Sequence, residues 1–210
     1  MKRLQFPILI MVLIIGVLSI LYYKNKNNTP IKQLPYFAPP EFTDKSKYIL
    51  PNFSFVNQYG LVTDSRTVRN KIYVADFFFV TCTSICPIMA NQMQRVYHQF
   101  QNDTNILIIS HTVNPEEDSV HILKIYAEDH GAYDKKWLFV TGNKKHLYEV
   151  ARKGYMLNVE PGNGGTEDFI HTQQFVLIDR TGHIRGYYDG TDSIEVNRLI
   201  IDIKVLESEK

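Results

Sequence analysis

Only two of the 210 residues are cysteine, and only one is tryptophan. Two thiols cannot build the multiply bridged framework of a small secreted scaffold. A bridge between residues four apart would close too small a loop to add much stability. No charge of one sign dominates: 23 basic and 22 acidic residues leave a formal net charge of +1, without the basic excess that nucleic-acid binding needs. No glycine-rich phosphate loop follows the first strong strand, no nucleophile elbow is present, and no carboxylate pair shares one face. Phosphate-binding and hydrolytic chemistry therefore find no footing. No internal repeat is visible. A hydrophobic content of 44% is enough for an ordinary core, and the 13 Tyr and 12 Phe read as its filling.

What the chain does have is concentrated in one place. Cys82 and Cys86 stand between Ile72–Val80, an almost wholly apolar run that reads as a buried strand, and Pro87–Phe100, where Met89, Met93, Val96, Tyr97 and Phe100 recur at helical spacing. Thiolates at the start of a helix are stabilised by its unpaired N–H groups and the positive end of its dipole. At i and i+4 on a helix, the two Cβ atoms would lie ~6 Å apart on one face, wider than a relaxed disulfide. That suits two thiolates converging on one soft ion. The common redox pair has two intervening residues rather than three. Redox use without a metal and a purely structural pair remain as alternatives.

Lys2 and Arg3 precede an uncharged stretch of 18 residues, Phe6 to Tyr23, just long enough as a helix to cross the hydrocarbon core. Tyr22 and Tyr23 sit where interfacial aromatics are found. No small-residue cleavage site ends the stretch, and no cysteine follows it that a lipid could modify. Residues 1–23 are therefore read as an uncleaved single membrane anchor, with the following domain on the extracytoplasmic side. Residues 24–47, polar and carrying Pro30, Pro35, Pro39 and Pro40, read as an extended tether. Residues 48–210 read as one folded domain. Its expected order is a hairpin over 53–63, a strand over 72–80, a helix over 87–100, a strand over 105–113 and a helix over 119–130. A short strand over 137–141, a helix capped by Asn143, a hairpin over 173–188 and a helix starting at an Asp192/Glu195 capping box follow. This alternation predicts an α/β fold with a mostly parallel sheet covered on both faces. The closing hairpin and helix make it a thioredoxin-like mixed sheet. In such sheets sites lie at the carboxyl ends of strands, where Cys82 falls.

A metal would need a third donor, and seven histidines compete. His98, His121, His130 and His146 fall on helical segments, mostly on their polar sides, and His183 follows a turn glycine. His111 ends the second apolar strand and could approach the thiols. His171 is the strongest candidate: it precedes the strand starting near Gln173, on a stretch containing Gly162, Gly164 and Gly165. In a thioredoxin-like sheet that stretch lies beside the start of the active-site helix. Two thiolates and one imidazole form a soft three-coordinate set: thiolate donors suit Cu(I) and imidazole suits copper in both oxidation states, Cu(II) included, whereas zinc would want a fourth ligand or a water.

Phe78-Phe79-Val80-Thr81-Cys82-x-x-x-Cys86-Pro87 resembles the signature of the Sco/SenC proteins. Val113-Asn114-Pro115-Glu116-Glu117-Asp118-Ser119 is similar to that family's Val-Asp-Pro-Glu-x-Asp-Thr stretch. Phe169-Ile170-His171-Thr172 resembles its histidine segment. The likeness runs from about Phe53 to the C-terminus and includes the N-terminal anchor. It implies a membrane-anchored, thioredoxin-fold copper protein that helps assemble the copper A centre of a cytochrome c oxidase. The implied copper site is Cys82, Cys86 and His171, and the implied partner is the copper-centre subunit of the oxidase. Delivery of copper, thiol–disulfide reduction by Cys82 and Cys86, and redox or copper sensing are the roles to be separated. Thr83, Ile170 and Asn114 depart from the family pattern, and none of these removes a ligand. Asp118 and Asp168 are expected to be solvated surface carboxylates, with contact to a partner or tuning of the site as the alternative.

Overall fold

The computed structural model describes residues 33–157, 159–165 and 168–209, together with residues 15, 16 and 19. Apart from those last three, the expected anchor lies outside the described residues, as do residues 24–32 of the expected tether. Among the described residues no helix is long and apolar enough to cross a membrane.

Seven strands form one sheet. They are β1 (Ser54–Asn57), β2 (Val62–Asp64), β3 (Ile72–Phe78), β4 (Ile106–Thr112), β5 (Trp137–Thr141), β6 (Gln174–Ile178) and β7 (Ile184–Asp189), in the order β2-β1-β5-β4-β3-β6-β7. The three central strands run parallel, and the flanking pairs are antiparallel. The mixed thioredoxin-like sheet is present, but it is not mostly parallel as the alternation of elements suggested, since the edge hairpins make four of its pairings antiparallel and only two are parallel. Every residue of β3, β4 and β5 is buried, which explains why these strands read as continuous apolar runs rather than alternating ones.

The period of two along β3 sorts its side chains onto two cores. Ile72, Val74 and Phe78 face the helices α1 (Cys86–Phe100), α2 (Val120–Asp129) and α4 (Ser193–Ser208), packing with Met89, Met93, Leu123, Leu199 and Ile203. Tyr73, Ala75 and Phe77 face the other way, toward Phe53, Phe55 and helix α3 (Lys144–Glu149) with the π-helical turn Val150–Gly154 behind it. Three helices start on a polar side chain: Ser119 accepts from Ile122 N–H, Asn143 from His146 N–H and Asp192 from Ile194 N–H. Glu195 does not complete the expected box, because it pairs with Arg198. Helix α1 is the exception, with Ile85 at its N-cap and no side-chain cap. Its first N–H groups are left facing the cysteine turn.

Residues 33–47 hold only one bridge and one 3-10 turn, Lys45–Lys47, and they run along the domain. Phe37 N–H donates to Ile184 C=O, and the buried Arg185 guanidinium donates to the carbonyls of Leu34 and Pro35 while pairing with Asp179 and Glu209.

Candidate functional site

The chain leaves β3 through a turn closed by a hydrogen bond from Cys82 N–H to Phe79 C=O, 3.2 Å long. Cys82 therefore lies in the loop, and α1 begins at Cys86. This corrects the expectation that both thiols ride the first helical turn. The i, i+4 spacing of a helix therefore does not set their separation; the Cys82 sulfur lies 3.6 Å from the Ser84 hydroxyl, and each thiol shifts the ionisation of the other. Both cysteines are free thiols and both are buried.

Their environments are unequal. Burial opposes ionisation of Cys82, but hydrogen bonds from the Cys86 thiol, the Cys86 and Ser84 backbone and the Ser84 hydroxyl outweigh it, lowering its pKa to about 7. Cys86 is pushed up to about 12, by burial first and by its bond to Cys82 second; the charges of Cys82 and Asp76 add to this and a backbone bond from Phe79 opposes it. Cys82 is thus the thiolate and Cys86 the proton donor to it, the division of labour of an attacking and a resolving thiol.

Asp76 was not singled out from the sequence, although a lone acid in an apolar strand was a visible signal. It lies on the thiol side of β3, buried, and accepts from the Ser110 hydroxyl, which accepts in turn from the Trp137 indole N–H at 2.9 Å. Burial raises its pKa to about 7. Asp118 is not the solvated carboxylate expected. It is 1% exposed and accepts from the Thr112 hydroxyl and, at 3.3 Å, from Val80 N–H. It thereby ties the start of α2 to the turn that carries Cys82. Asp168 is not free in solvent either, for it is held in a two-pronged ion pair with Arg152.

The histidines separate clearly. His111 is fully buried on the sheet face away from the cysteines, stacked on Phe77 at 4.7 Å between ring centroids and edge-on to Phe55 and Tyr155. It is removed from the thiols by the parity of its strand. His171 is exposed. Its ring lies 6.2 Å from the ring of Phe79 and 4.9 Å from that of Phe169. Phe79 is the link: its carbonyl takes the Cys82 N–H, its backbone bonds to Cys86, and its ring borders His171. Among the described residues no three of His, Cys, Asp and Glu stand together closely enough to hold a metal ion. The structure therefore sets two thiols on one short loop and the imidazole one aromatic ring away from it.

The family model for SCO1/SenC matches residues 42–205. The chain belongs to the SCO1/SenC family. A SCO1 protein homolog of Bacillus subtilis strain 168 is 28% identical over 166 residues, 78% of this chain and 86% of that one. The structure of BsSco, described as a member of the Sco family of cytochrome c oxidase assembly proteins with a disulfide switch, superposes with a TM-score of 0.66 at 28% identity over 78% of this chain and 95% of that one. ScoI of Bradyrhizobium japonicum, solved with copper bound, superposes with a TM-score of 0.60 at 19% identity over 75% of this chain and 98% of that one, a likeness of fold. Like those proteins, this Sco/SenC chain has the thioredoxin-like α/β sheet.

Proposed function

We propose that this protein is a copper-binding assembly factor for the copper A centre of a cytochrome c oxidase, anchored by residues 1–23 with its domain on the extracytoplasmic side. Copper is the cargo. Cys82 and Cys86 supply two sulfur donors, and His171 supplies the third. The observation that carries this reading is the pair of buried free thiols after the carboxyl end of β3, one of them with its pKa lowered to about 7. The donor chemistry fits: two sulfurs and one imidazole match Cu(I), and a set with a movable third member suits an ion that must be handed on.

The unequal thiols favour a second role for the same pair, reduction of the cysteines of the oxidase subunit that receives the metal. Cys82 as thiolate attacks one sulfur of the partner disulfide and the other leaves as thiolate. Cys86 then attacks the mixed disulfide, releasing the second partner thiolate and leaving Cys82 and Cys86 bridged. Two electrons pass to the partner, and the Cys86 proton is lost on the way.

Copper A content of the oxidase in cells carrying Cys86→Ser, grown with and without added copper, tests the proposal. The expected result is loss of copper A to the level of cells lacking the protein. Partial recovery with added copper marks delivery as the missing step, and recovery with an added thiol reductant marks reduction. An oxidase with full copper A in the variant would overturn the assignment.

A further inference from the structure

His171 ends a stretch that one short piece of helix holds down. Arg152, in the π-helical turn, donates from both terminal nitrogens to Asp168, at 2.8 Å and 2.6 Å, and from Nε to Glu160 C=O at 3.1 Å. The same Asp168 carboxylate accepts from Gly164 N–H at 2.6 Å. One ion pair therefore gathers residues 160, 164 and 168 at a single point. Its side chains are 17% and 8% exposed, so solvent screens it less than an open surface pair. One turn earlier, the Tyr148 ring lies under the Arg152 guanidinium, and the Tyr148 hydroxyl bonds to the backbone of Ile170, which is buried.

The glycines of this stretch answer to the same point. A Cβ on Gly162 would stand 2.3 Å from the Asp168 carboxyl. Gly164 has φ +75°, and a Cβ there would meet the Lys145 backbone at 2.7 Å. These glycines let the chain close onto Asp168 rather than merely loosening it. After Ile170 the pinned stretch ends, and His171 is the first exposed side chain beyond it.

We infer that the Arg152–Asp168 ion pair is the positioning pair of His171, holding the stretch before it so that only a few residues must move for the ring to reach the sulfurs. The inference rests on His171 being the third donor, as proposed above. Without the pair, the connection between the π-helical turn and His171 has a freedom that must be lost whenever the imidazole binds. With it, the free part shrinks to His171 and Thr172, because Gln173 is already held by Gly190 N–H and the Asp189 carboxylate. Loop-closure entropy scales slowly with length, so the expected gain is modest, about fivefold to tenfold in affinity.

The test is a cycle of Cu(I) affinities for the full chain in detergent, measured against a competing chelator, for the parent, Asp168→Asn, His171→Ala and the double variant. The inference expects Asp168→Asn to weaken binding about fivefold to tenfold in the parent and to have no effect on the His171→Ala background. Arg152→Lys keeps the charge but loses the fork, and it should fall between the parent and Asp168→Asn. It also serves where Asp168→Asn does not fold. Equal losses on both backgrounds would make the pair a structural brace only and would overturn the inference. So would an unchanged affinity in Asp168→Asn alongside a weakened His171→Ala, which leaves the proposed function standing. If His171→Ala binds as the parent does, the third-donor reading fails and the positioning role falls with it.

Discussion

The two faces of the sheet bury ionisable groups with opposite consequences. On the thiol side, Asp76 sits under α1 with Ser110 and Trp137 bonded in line, and burial raises its pKa to about 7. On the far side, His111 is packed among Phe55, Phe77 and Tyr155. Its Nδ1 lies 3.2 Å from Asp76 C=O and its Nε2 has no hydrogen-bond partner among the described residues. Burial lowers its pKa to about 4. Both groups are therefore neutral in mildly acidic solution, but they respond to pH in opposite directions. The difference teaches that the end of a strand does not by itself make a site. Parity along the strand sends one side chain to the reactive side and its neighbour into an inert core.

The largest effect that could break this comparison concerns the thiols. A pKa near 7 for Cys82 and near 12 for Cys86 means that at pH 8 the thiolate fraction of Cys82 is about ten thousand times that of Cys86, so iodoacetamide should modify Cys82 far faster, since only the thiolate attacks. The Cys82 rate should rise with pH through a midpoint near 7. Peptide mapping of partly alkylated, metal-free protein checks this, and equal labelling of both cysteines would remove the polarity assigned to the thiol side.

The pH dependence of stability sharpens the comparison further. Unfolded, His111 takes a proton below about 6.5; folded, it does so only below about 4. Its contribution is therefore intact above pH 6.5 and falls as the pH drops toward 4, by on the order of 3 kcal/mol. Asp76 works the other way. Its folded pKa is raised from 3.8 to about 7, so the penalty for burying its charge is relieved as the pH falls through that window, by a similar amount. The two slopes largely cancel in the parent. His111→Phe should become more stable between pH 7 and 4, and Asp76→Asn less stable, as read by urea midpoints. Parallel curves for parent and variants would show that neither face carries its group as described.

A smaller effect is expected where the faces meet the cysteine turn. Asp118→Ala leaves Val80 N–H and the Thr112 hydroxyl without their acceptor and should cost about 2 kcal/mol in denaturant unfolding. The loosened turn should also bring the Cys82 midpoint closer to its ordinary value of 9.0.

Much of this architecture is written in local pattern. The almost wholly apolar run at Ile72–Val80 read as a covered strand, and the recurrence of Met89, Met93, Val96 and Phe100 placed α1 and its buried face. Asn143 and Asp192 marked their helix starts because a short polar side chain there has one evident task. The helix start was placed to within one residue, but Cys82 was wrongly read onto its first turn, although Pro87 carried the information. Proline is tolerated only in the first helical turn, which puts Cys82 outside the helix. Asp118 and Asp168 were misjudged for a different reason. Their partners, Val80 and Arg152, lie 38 and 16 residues away, and no local pattern distinguishes a solvated carboxylate from one closed upon by a distant segment. Asp76 was hidden in plain sequence, one acid in a run read for its hydrophobicity, and the linking role of Phe79 shows only once the turn is folded.

The central claim is that two neighbouring thiols are completed by an imidazole that must move to join them. X-ray absorption at the copper edge of Cu(I)-loaded full-length protein measures the donor set directly. The account predicts two sulfur scatterers and one imidazole nitrogen in the parent, and two sulfurs without imidazole scattering in His171→Ala. Identical spectra for the two proteins would contradict it.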